Sequence, residues 1–279
     1  MSKREGQSAR ITGTSSSSRT SARYAGVILL VVTLFLAAAC SRSGSDTAGR
    51  NDGVLVAAAA DLRFALNDIV ALYLEETGVE VTVSYGSTGL MTQQIENGAP
   101  IDLFLAADLS FAQRLYEGGH SSGEPVPYAL GYLALAVPEG GVLPNPADVM
   151  QLREPRYEVI AIANPSHAPY GAAASRFLED AGLLEELRPR FVYGENVLDT
   201  LRLVQTGSAD LALVAAAFLP QARDFHGVLI EPGRYEPLLQ TAVLPKGGDN
   251  PEGGRRFLEF IMSPVGAEVL SRYLFGIPE

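Results

Sequence analysis

The chain has 279 residues, a formal net charge of −11 and a single Cys, and 47% of its residues are apolar. This length suits one large or two intermediate domains with a hydrophobic core, and the apolar content excludes disorder as a description of the whole chain. One Cys excludes an internal disulfide framework and a zinc site built from several thiolates. The excess of 32 acidic over 21 basic residues argues against nucleic-acid binding, which needs clustered Lys and Arg.

Residues 1–39 have the features of a signal peptide. Residues 1–23 hold five basic residues and one acidic residue in a Ser-rich run, and residues 24–39 form an apolar stretch of 16 residues. That stretch is short for a hydrocarbon core of roughly 30 Å, but it suits the hydrophobic region of an export signal. An uncleaved N-terminal anchor is the alternative.

The one cysteine, Cys40, directly follows this stretch. The sequence Leu-Ala-Ala-Ala-Cys resembles the lipobox of bacterial lipoproteins, in which the Cys becomes the acylated first residue. Such boxes usually carry Leu three residues before the Cys, whereas here Ala37 holds that position and Leu36 precedes it. Residues 40–52 are polar and rich in Gly and Ser, as a flexible tether is. We therefore predict an exported lipoprotein, anchored to the membrane through Cys40 and facing the periplasm or the cell exterior.

Export makes the mature protein more acidic. Removal of residues 1–39 takes away five basic residues and one acidic residue, so that the net charge changes from −11 to −15. Lys246 is the only lysine that remains. If the protein binds a small anion, the attraction must therefore come from local dipoles and not from the overall charge.

Short apolar runs alternate with amphipathic stretches from residue 54 onward. The first run predicts a buried strand (54–60), followed by a helix that opens at Asp61 and ends at Gly78. Further strands are predicted at 79–85, 101–106, 132–137, 159–163, 191–193, 211–215 and 238–244. Further helices are predicted at 90–97, 110–118, 170–180 and 197–206, with two more within 250–275. The alternation predicts parallel βαβ units in two α/β lobes, with a Pro-containing break at 124–127 between the two series.

Four strand-to-helix turns are candidate ligand sites, because backbone N–H groups are unpaired at helix N-termini. The turns are Ala60-Asp61, residues 86–89, residues 169–171 and Asn196-Val197. Each offers backbone donors to an anion, and Ser87, Thr88 and Tyr170 add hydroxyl donors. Ordinary capping of helices by Ser, Thr, Asp and Asn is the alternative explanation.

Features of an enzyme active site are scarce. His120, His167 and His226 are far apart in the sequence and have no metal-ligand spacing. The sequence also lacks a Walker A loop, a dinucleotide-binding glycine fingerprint and a Gly-x-Ser-x-Gly elbow. We therefore predict no catalytic residue, no cofactor and no cation site.

At these turns the sequence resembles the molybdate-binding receptors of bacterial ABC importers. The matching stretches are AAAADLRFALNDI (57–69), GSTGLMTQQIENGAPIDLFLAAD (86–108), ANPSHAPYGAAA (163–174), ENVLDTLRLVQTGSADLALV (195–214) and LPKGGDNPEGGRRFLEFIMSPVGAEVLSRYLFGIP (244–278). The resemblance implies a type II periplasmic-binding-protein fold, which has two α/β lobes with mostly parallel sheets and a ligand cleft between them. The expected lobes are residues 53–129 with 239–279, and residues 130–238, joined by two crossover strands and closing by a hinge.

The resemblance also implies where an oxyanion such as molybdate or tungstate is held by N–H and hydroxyl donors. By position, the contacts fall at Asp61, Ser87, Thr88, the backbone of Tyr170 and the backbone of Val197. A further contact, a Tyr hydroxyl in some members, aligns with Ala215, which has no hydroxyl, so the Tyr170 side chain is a candidate replacement. The implied protein is a monomeric receptor that delivers its ligand to the membrane subunits of an ABC permease and performs no chemistry itself.

Asp61 departs from the family pattern, which often has Ser or Asn at this position. An ionised carboxylate only accepts hydrogen bonds, and at about 4 Å from a buried dianion it is repelled by roughly 4 kcal/mol at an effective dielectric constant of 20. Three outcomes are open: Asp61 caps its own helix, a proton resides on Asp61 or on the ligand, or the ligand is not an oxyanion. The alternatives are therefore a same-fold receptor for another solute and an exported enzyme that uses Asp61 as an acid or base.

Overall fold

A computed structural model describes residues 53–278, which form two five-stranded sheets flanked by helices. The predicted signal peptide (1–39), Cys40 and the tether (40–52) lie outside the described residues. The strands are β1 (Val54–Ala59), β2 (Val81–Gly86), β3 (Leu103–Ala106), β4 (Val126–Gly131), β5 (Leu133–Pro138), β6 (Ile160–Ala163), β7 (Phe191–Gly194), β8 (Leu211–Ala215), β9 (Phe225–Leu229) and β10 (Leu238–Val243). The α-helices are α1 (Arg63–Thr77), α2 (Thr88–Glu96), α3 (Leu109–Glu117), α4 (Pro169–Asp180), α5 (Leu184–Leu187), α6 (Val197–Gln205), α7 (Pro251–Met262) and α8 (Pro264–Arg272). Short 3-10 helices occupy Ala60–Leu62, Val149–Arg153, Arg188–Arg190 and Ala216–Gln221.

The two sheets have the same arrangement of strands. The first has the order β2-β1-β3-β10-β4, with β1 parallel to β2 and β3, and β10 antiparallel to β3 and β4. The second has the order β7-β6-β8-β5-β9, with β6 parallel to β7 and β8, and β5 antiparallel to β8 and β9. In each sheet four strands therefore run in one direction and one runs against them. The prediction of an α/β fold with two lobes and mostly parallel sheets is confirmed.

The chain passes between the two sheets twice, at neighbouring places. Tyr132 alone separates β4 of the first sheet from β5 of the second, and residues 230–237 lead from β9 back to β10. Gly131 pairs with Leu238 in the β4–β10 ladder, so the two crossings lie side by side. This is where a hinge between two lobes would be located.

The boundary of the first helix illustrates why the local predictions succeed. Helix α1 buries Leu66, Ile69 and Tyr73 on one face, as their helical spacing indicates. It ends at Gly78, which has a φ of 70°, a left-handed conformation that favours glycine. No helix of residues 53–278 is long and apolar enough to cross a membrane.

The predicted break at residues 124–127 is partly wrong, because strand β4 begins at Val126. Pro127 cannot donate a ladder hydrogen bond, which is why it indicated a loop. It is tolerated because β4 lies at the edge of its sheet and the β4–β10 register shifts between Gln240 and Thr241, beside the residue that pairs with Pro127.

Candidate ligand-binding site

A small cavity lies where the carboxyl ends of strands from both sheets face each other. The first sheet contributes the connections after β1, β2 and β3, and the second contributes the starts of α4 and α6. The lining residues are Ala59, Ala60, Asp61, Gly86, Ser87, Thr88, Ala107, Ala168, Pro169, Tyr170, Asn196 and Val197. All five predicted contact residues are therefore brought together. Ala215 is not among the lining residues; it is fully buried at the end of β8, paired with Leu133.

Three helical segments begin at the cavity without a side-chain cap. They are the 3-10 turn at Ala60–Leu62, helix α2 and helix α4. Asp61, Thr88 and Tyr170, which lie in the first turns of these segments, are at most 2% exposed. Pro169 has no N–H, so Tyr170 carries the first N–H donor of α4. Buried N–H groups at helix starts are costly unless they are paired, and together with the helix dipoles they favour an anion.

Helix α6 is capped differently. The Asn196 side chain accepts hydrogen bonds from the N–H groups of Leu198 and Asp199, both at 3.0 Å. This cap does not use the N–H of Val197, the first residue of the helix. Ordinary capping therefore explains Asn196, whereas Ser87 makes no cap to its own helix.

The two hydroxyl groups at the start of α2 have different roles. Thr88 Oγ1 accepts a hydrogen bond from the N–H of Ala107 at 3.3 Å, which leaves its own proton to be donated to another group. The Ser87 hydroxyl instead donates to the carbonyl of His167 at 2.7 Å, and its oxygen lies 2.8 Å from Nδ1 of the same residue. The N–H of Gly89 also donates to the His167 carbonyl, at 2.8 Å. These bonds connect the first sheet's α2 to the segment before α4, beside the cavity.

Asp61 is directed inward, toward strand β10. Its Oδ2 accepts a hydrogen bond of 2.7 Å from the Gln240 side-chain amide, whose Oε1 accepts one of 3.3 Å from the Tyr128 hydroxyl. All three residues are buried. Burial raises the pKa of Asp61 from 3.8 to about 6, an increase that the Tyr170 hydroxyl, the N–H groups of Asp61 and Leu62, and the Gln240 amide oppose. The carboxyl group thus takes up a proton far more readily than an exposed Asp does.

Two buried polar atoms of this cluster have no hydrogen-bond partner among the described residues. They are Oδ1 of Asp61 and the hydroxyl oxygen of Tyr170. The Tyr170 hydroxyl lies close enough to lower the pKa of Asp61, but the two groups do not meet in good hydrogen-bond geometry. Burial and the negative charge of Asp61 raise the pKa of Tyr170 well above its ordinary value, so its hydroxyl keeps its proton. Unpaired buried groups beside a cavity indicate that a ligand pairs with them.

Two residues that form hydrogen bonds to predicted site residues were not identified from the sequence: Gln240, which bonds to Asp61, and His167, which bonds to Ser87. Gln240 and Thr241 interrupt the apolar strand LLQTAV, and this polar interruption was the available signal for Gln240. His167 is far from the other two histidines in the sequence, and nothing in its sequence neighbourhood indicates a bond to Ser87, 80 residues away. Among the described residues that line the cavity, none is Lys, Arg or His.

The family model described as "Bacterial extracellular solute-binding protein" matches residues 54–275. The chain is 35% identical over 229 residues to the molybdate-binding protein ModA of Azotobacter vinelandii, which covers 80% of this chain and 90% of that one. It is 26% identical over 258 residues to the putative ABC transporter substrate-binding lipoprotein YvgL of Bacillus subtilis, covering 91% of this chain and 98% of that one.

The solved structure of the Azotobacter vinelandii periplasmic molybdate-binding protein superposes with a TM-score of 0.75 at 29% identity, covering 81% of this chain and 100% of that one. The family match spans both sheets and every strand connection that lines the cavity. The chain therefore belongs to the bacterial extracellular solute-binding proteins, a family of receptors and not of enzymes.

Proposed function

We propose that this protein is the extracytoplasmic receptor of a bacterial ABC importer and that it binds molybdate, or the related oxyanion tungstate, in the cavity. One observation carries the proposal: three buried helical N-termini without side-chain caps converge on one small cavity, and none of the described residues in its wall is Lys or Arg. Such a cavity binds an anion through N–H dipoles. The names of the relatives support molybdate as that anion.

The contacts in this proposal are made by five residues. The anion is surrounded by Asp61, Ser87, Thr88, Tyr170 and Val197. The donors are backbone N–H groups and the hydroxyls of Thr88 and Tyr170. These donors lie in a desolvated site, where a hydrogen bond to an ion is stronger than in water. When the two lobes close around the anion, the receptor adopts a conformation that differs from that of the empty receptor, and the permease can distinguish the two.

The remaining features of the proposal concern the organisation of the chain. The lobes are residues 53–129 with 239–279, and residues 130–238, and the receptor acts as a monomer. Residues 1–39 are removed on export, Cys40 is acylated, and residues 40–52 tether the receptor to the membrane near its permease. The lipoprotein named among the relatives supports this anchoring.

Calorimetric titration of the mature protein tests the proposed function. We expect one-site binding of molybdate and tungstate, and weaker or no binding of the smaller sulfate ion, because the size of a preformed cavity limits which anion contacts all donors at once. Absence of heat with every tetrahedral anion would contradict the proposal.

Substitution of Thr88 tests whether the cavity is the binding site. We expect Thr88→Val to weaken molybdate binding about 10- to 30-fold, because a hydrogen bond to an ion contributes roughly 1.5–2 kcal/mol. Thr92→Val is the matched control, since Thr92 is also buried in α2 but its hydroxyl donates to the Thr88 carbonyl at 2.9 Å. Equal losses of affinity in both variants would place the effect in the helix and not in the site.

A receptor for a different solute is the second candidate function, and Asp61 is the observation that favours it. An ionised carboxylate accepts hydrogen bonds and repels a dianion, so it suits a ligand that carries its own proton, such as hydrogen phosphate. The same titration separates the two candidates, because tighter binding of phosphate than of molybdate would assign the cavity to the protonated anion.

A further inference from the structure

Among the described residues that line the cavity, Asp61 is the one that carries a carboxyl group. This residue is 1% exposed, and its Oδ1 has no hydrogen-bond partner among the described residues. The other carboxylate oxygen, Oδ2, is held by Gln240, which fixes the orientation of the group. A ligand in the cavity therefore lies next to Asp61, whose Oδ1 is buried and has no hydrogen-bond partner among the described residues.

Within residues 53–278, no cationic group forms an ion pair with this carboxyl group. The groups that face it are the Tyr170 hydroxyl from α4, the Gln240 amide from β10, the N–H groups of its own turn, and, more distantly, Tyr128 of β4, whose pKa its charge helps to raise. None of the ion pairs among the described residues includes Asp61. Arg63, two residues further on, lies 5.5 Å over the ring of Tyr85.

On the basis of the oxyanion function proposed above, we propose that Asp61 takes up one proton each time the cavity binds an anion, so that the receptor captures the oxyanion and a proton together. The proton comes from solvent and resides on Oδ1 of Asp61. The O–H group then donates to an oxygen of the anion, while Oδ2 continues to accept from Gln240. The carboxyl group changes from an acceptor to a donor, and the loaded site carries a charge of −2 in place of −3.

The environment of Asp61 already favours this step in the absence of an anion. Burial raises its pKa to about 6, and a dianion in contact raises the pKa further because like charges disfavour ionisation. Molybdate itself stays a dianion at neutral pH, so it brings no proton of its own.

The pH dependence of binding is set by the pKa of Asp61 in the empty site and by its higher pKa when an anion is bound. Between the pKa of the empty site and the higher pKa of the loaded site, Asp61 is ionised without the anion and protonated with it. Binding therefore consumes a proton in this range, and the affinity for molybdate falls up to tenfold for each unit of rising pH. Below about pH 6 the carboxyl group is protonated in both states, and the affinity no longer depends on it.

Proton uptake can be counted directly. We would titrate the mature protein with sodium molybdate near pH 7.5 in two buffers of different ionisation enthalpy, since the difference in measured heat gives the number of protons taken up. We expect about one proton per molybdate for the wild type and about none for Asp61→Asn. The Asn variant keeps an oxygen for Gln240 and offers an N–H to the anion, so its affinity should be higher above pH 7 and independent of pH. Its thermal unfolding shows whether it is folded.

His167 provides the control, because its imidazole lies 2.8 Å from the hydroxyl of Ser87, a residue that lines the cavity. His167→Gln should retain the uptake of one proton. Tight molybdate binding without proton uptake, or equal uptake in Asp61→Asn, would overturn the inference and leave the proposed function intact. No binding of molybdate by either the wild type or Asp61→Asn across the pH range would mean that the proposed function itself is wrong.

Discussion

Gly89→Ala should weaken molybdate binding at least 100-fold, which corresponds to about 3 kcal/mol, while leaving the protein folded. A Cβ atom at this position would lie 2.7 Å from the carbonyl oxygen of His167 and 2.9 Å from its Cβ. Real Cβ atoms do not approach backbone this closely, so the two segments must separate. Separation breaks the 2.8 Å bond from the Gly89 N–H and moves the neighbouring Tyr170 N–H away from the anion.

The fold should tolerate the same substitution. Gly89 is the second residue of helix α2, and Ala is a better helix former than Gly. Gly123→Ala is the control, because a Cβ there meets no atom within 4 Å. Calorimetry with molybdate and thermal unfolding by circular dichroism would be measured for both variants. An affinity of Gly89→Ala close to that of the wild type would show that contact between α2 and His167 is not needed for binding.

The strands and helices that could be predicted from sequence are those with a one-sided or fully apolar pattern. Strand β1 is almost wholly buried and is followed by a helix with a regular apolar face, so both were found. Strand β9 was missed because it is an edge strand of partly exposed residues, with Gly227 at its centre. The reversed direction of β5 and β10 also has no local signal, because it depends on which strands become neighbours.

For the site, the sequence predicted positions but not pairings. The four turns were found because strand ends and helix starts are visible in the hydrophobic pattern, and all five predicted residues line one cavity. The bond between Gln240 and Asp61 spans 179 residues, and the bond between Ser87 and His167 spans 80. The first pairing forms only when β10 takes its place in the first sheet, and the second only when the two sheets face each other, so the role of Ser87 as a bridge could not be read from its turn.

Asp61→Asn should stabilise the folded protein by about 3 kcal/mol near pH 8 and by almost nothing near pH 4. The pKa of Asp61 is about 6 in the folded protein against 3.8 when exposed, so the folded state holds this proton more strongly than the unfolded state. The contribution of Asp61 to stability is therefore greatest below pH 3.8. It is lost as the pH rises to about 6 and stays absent above that pH. The amide of Asp61→Asn has no charge to bury, so this loss of stability above pH 6 does not occur, and its oxygen still accepts a hydrogen bond from Gln240.

Asp102→Asn is the matched control, because Asp102 is a second buried carboxylate in the same sheet with the opposite environment. Its Oδ2 accepts from the N–H of Leu55 at 2.7 Å, and its Oδ1 accepts from the N–H of Asn250 at 2.6 Å. An amide would place its NH₂ group against one of these donors and destabilise the protein by about 1–3 kcal/mol. Urea denaturation of both variants near pH 8 and pH 4 should therefore give changes of opposite sign at the higher pH. If Asp61→Asn gives the same stability change at both pH values, Asp61 is not the group whose ionisation the fold disfavours.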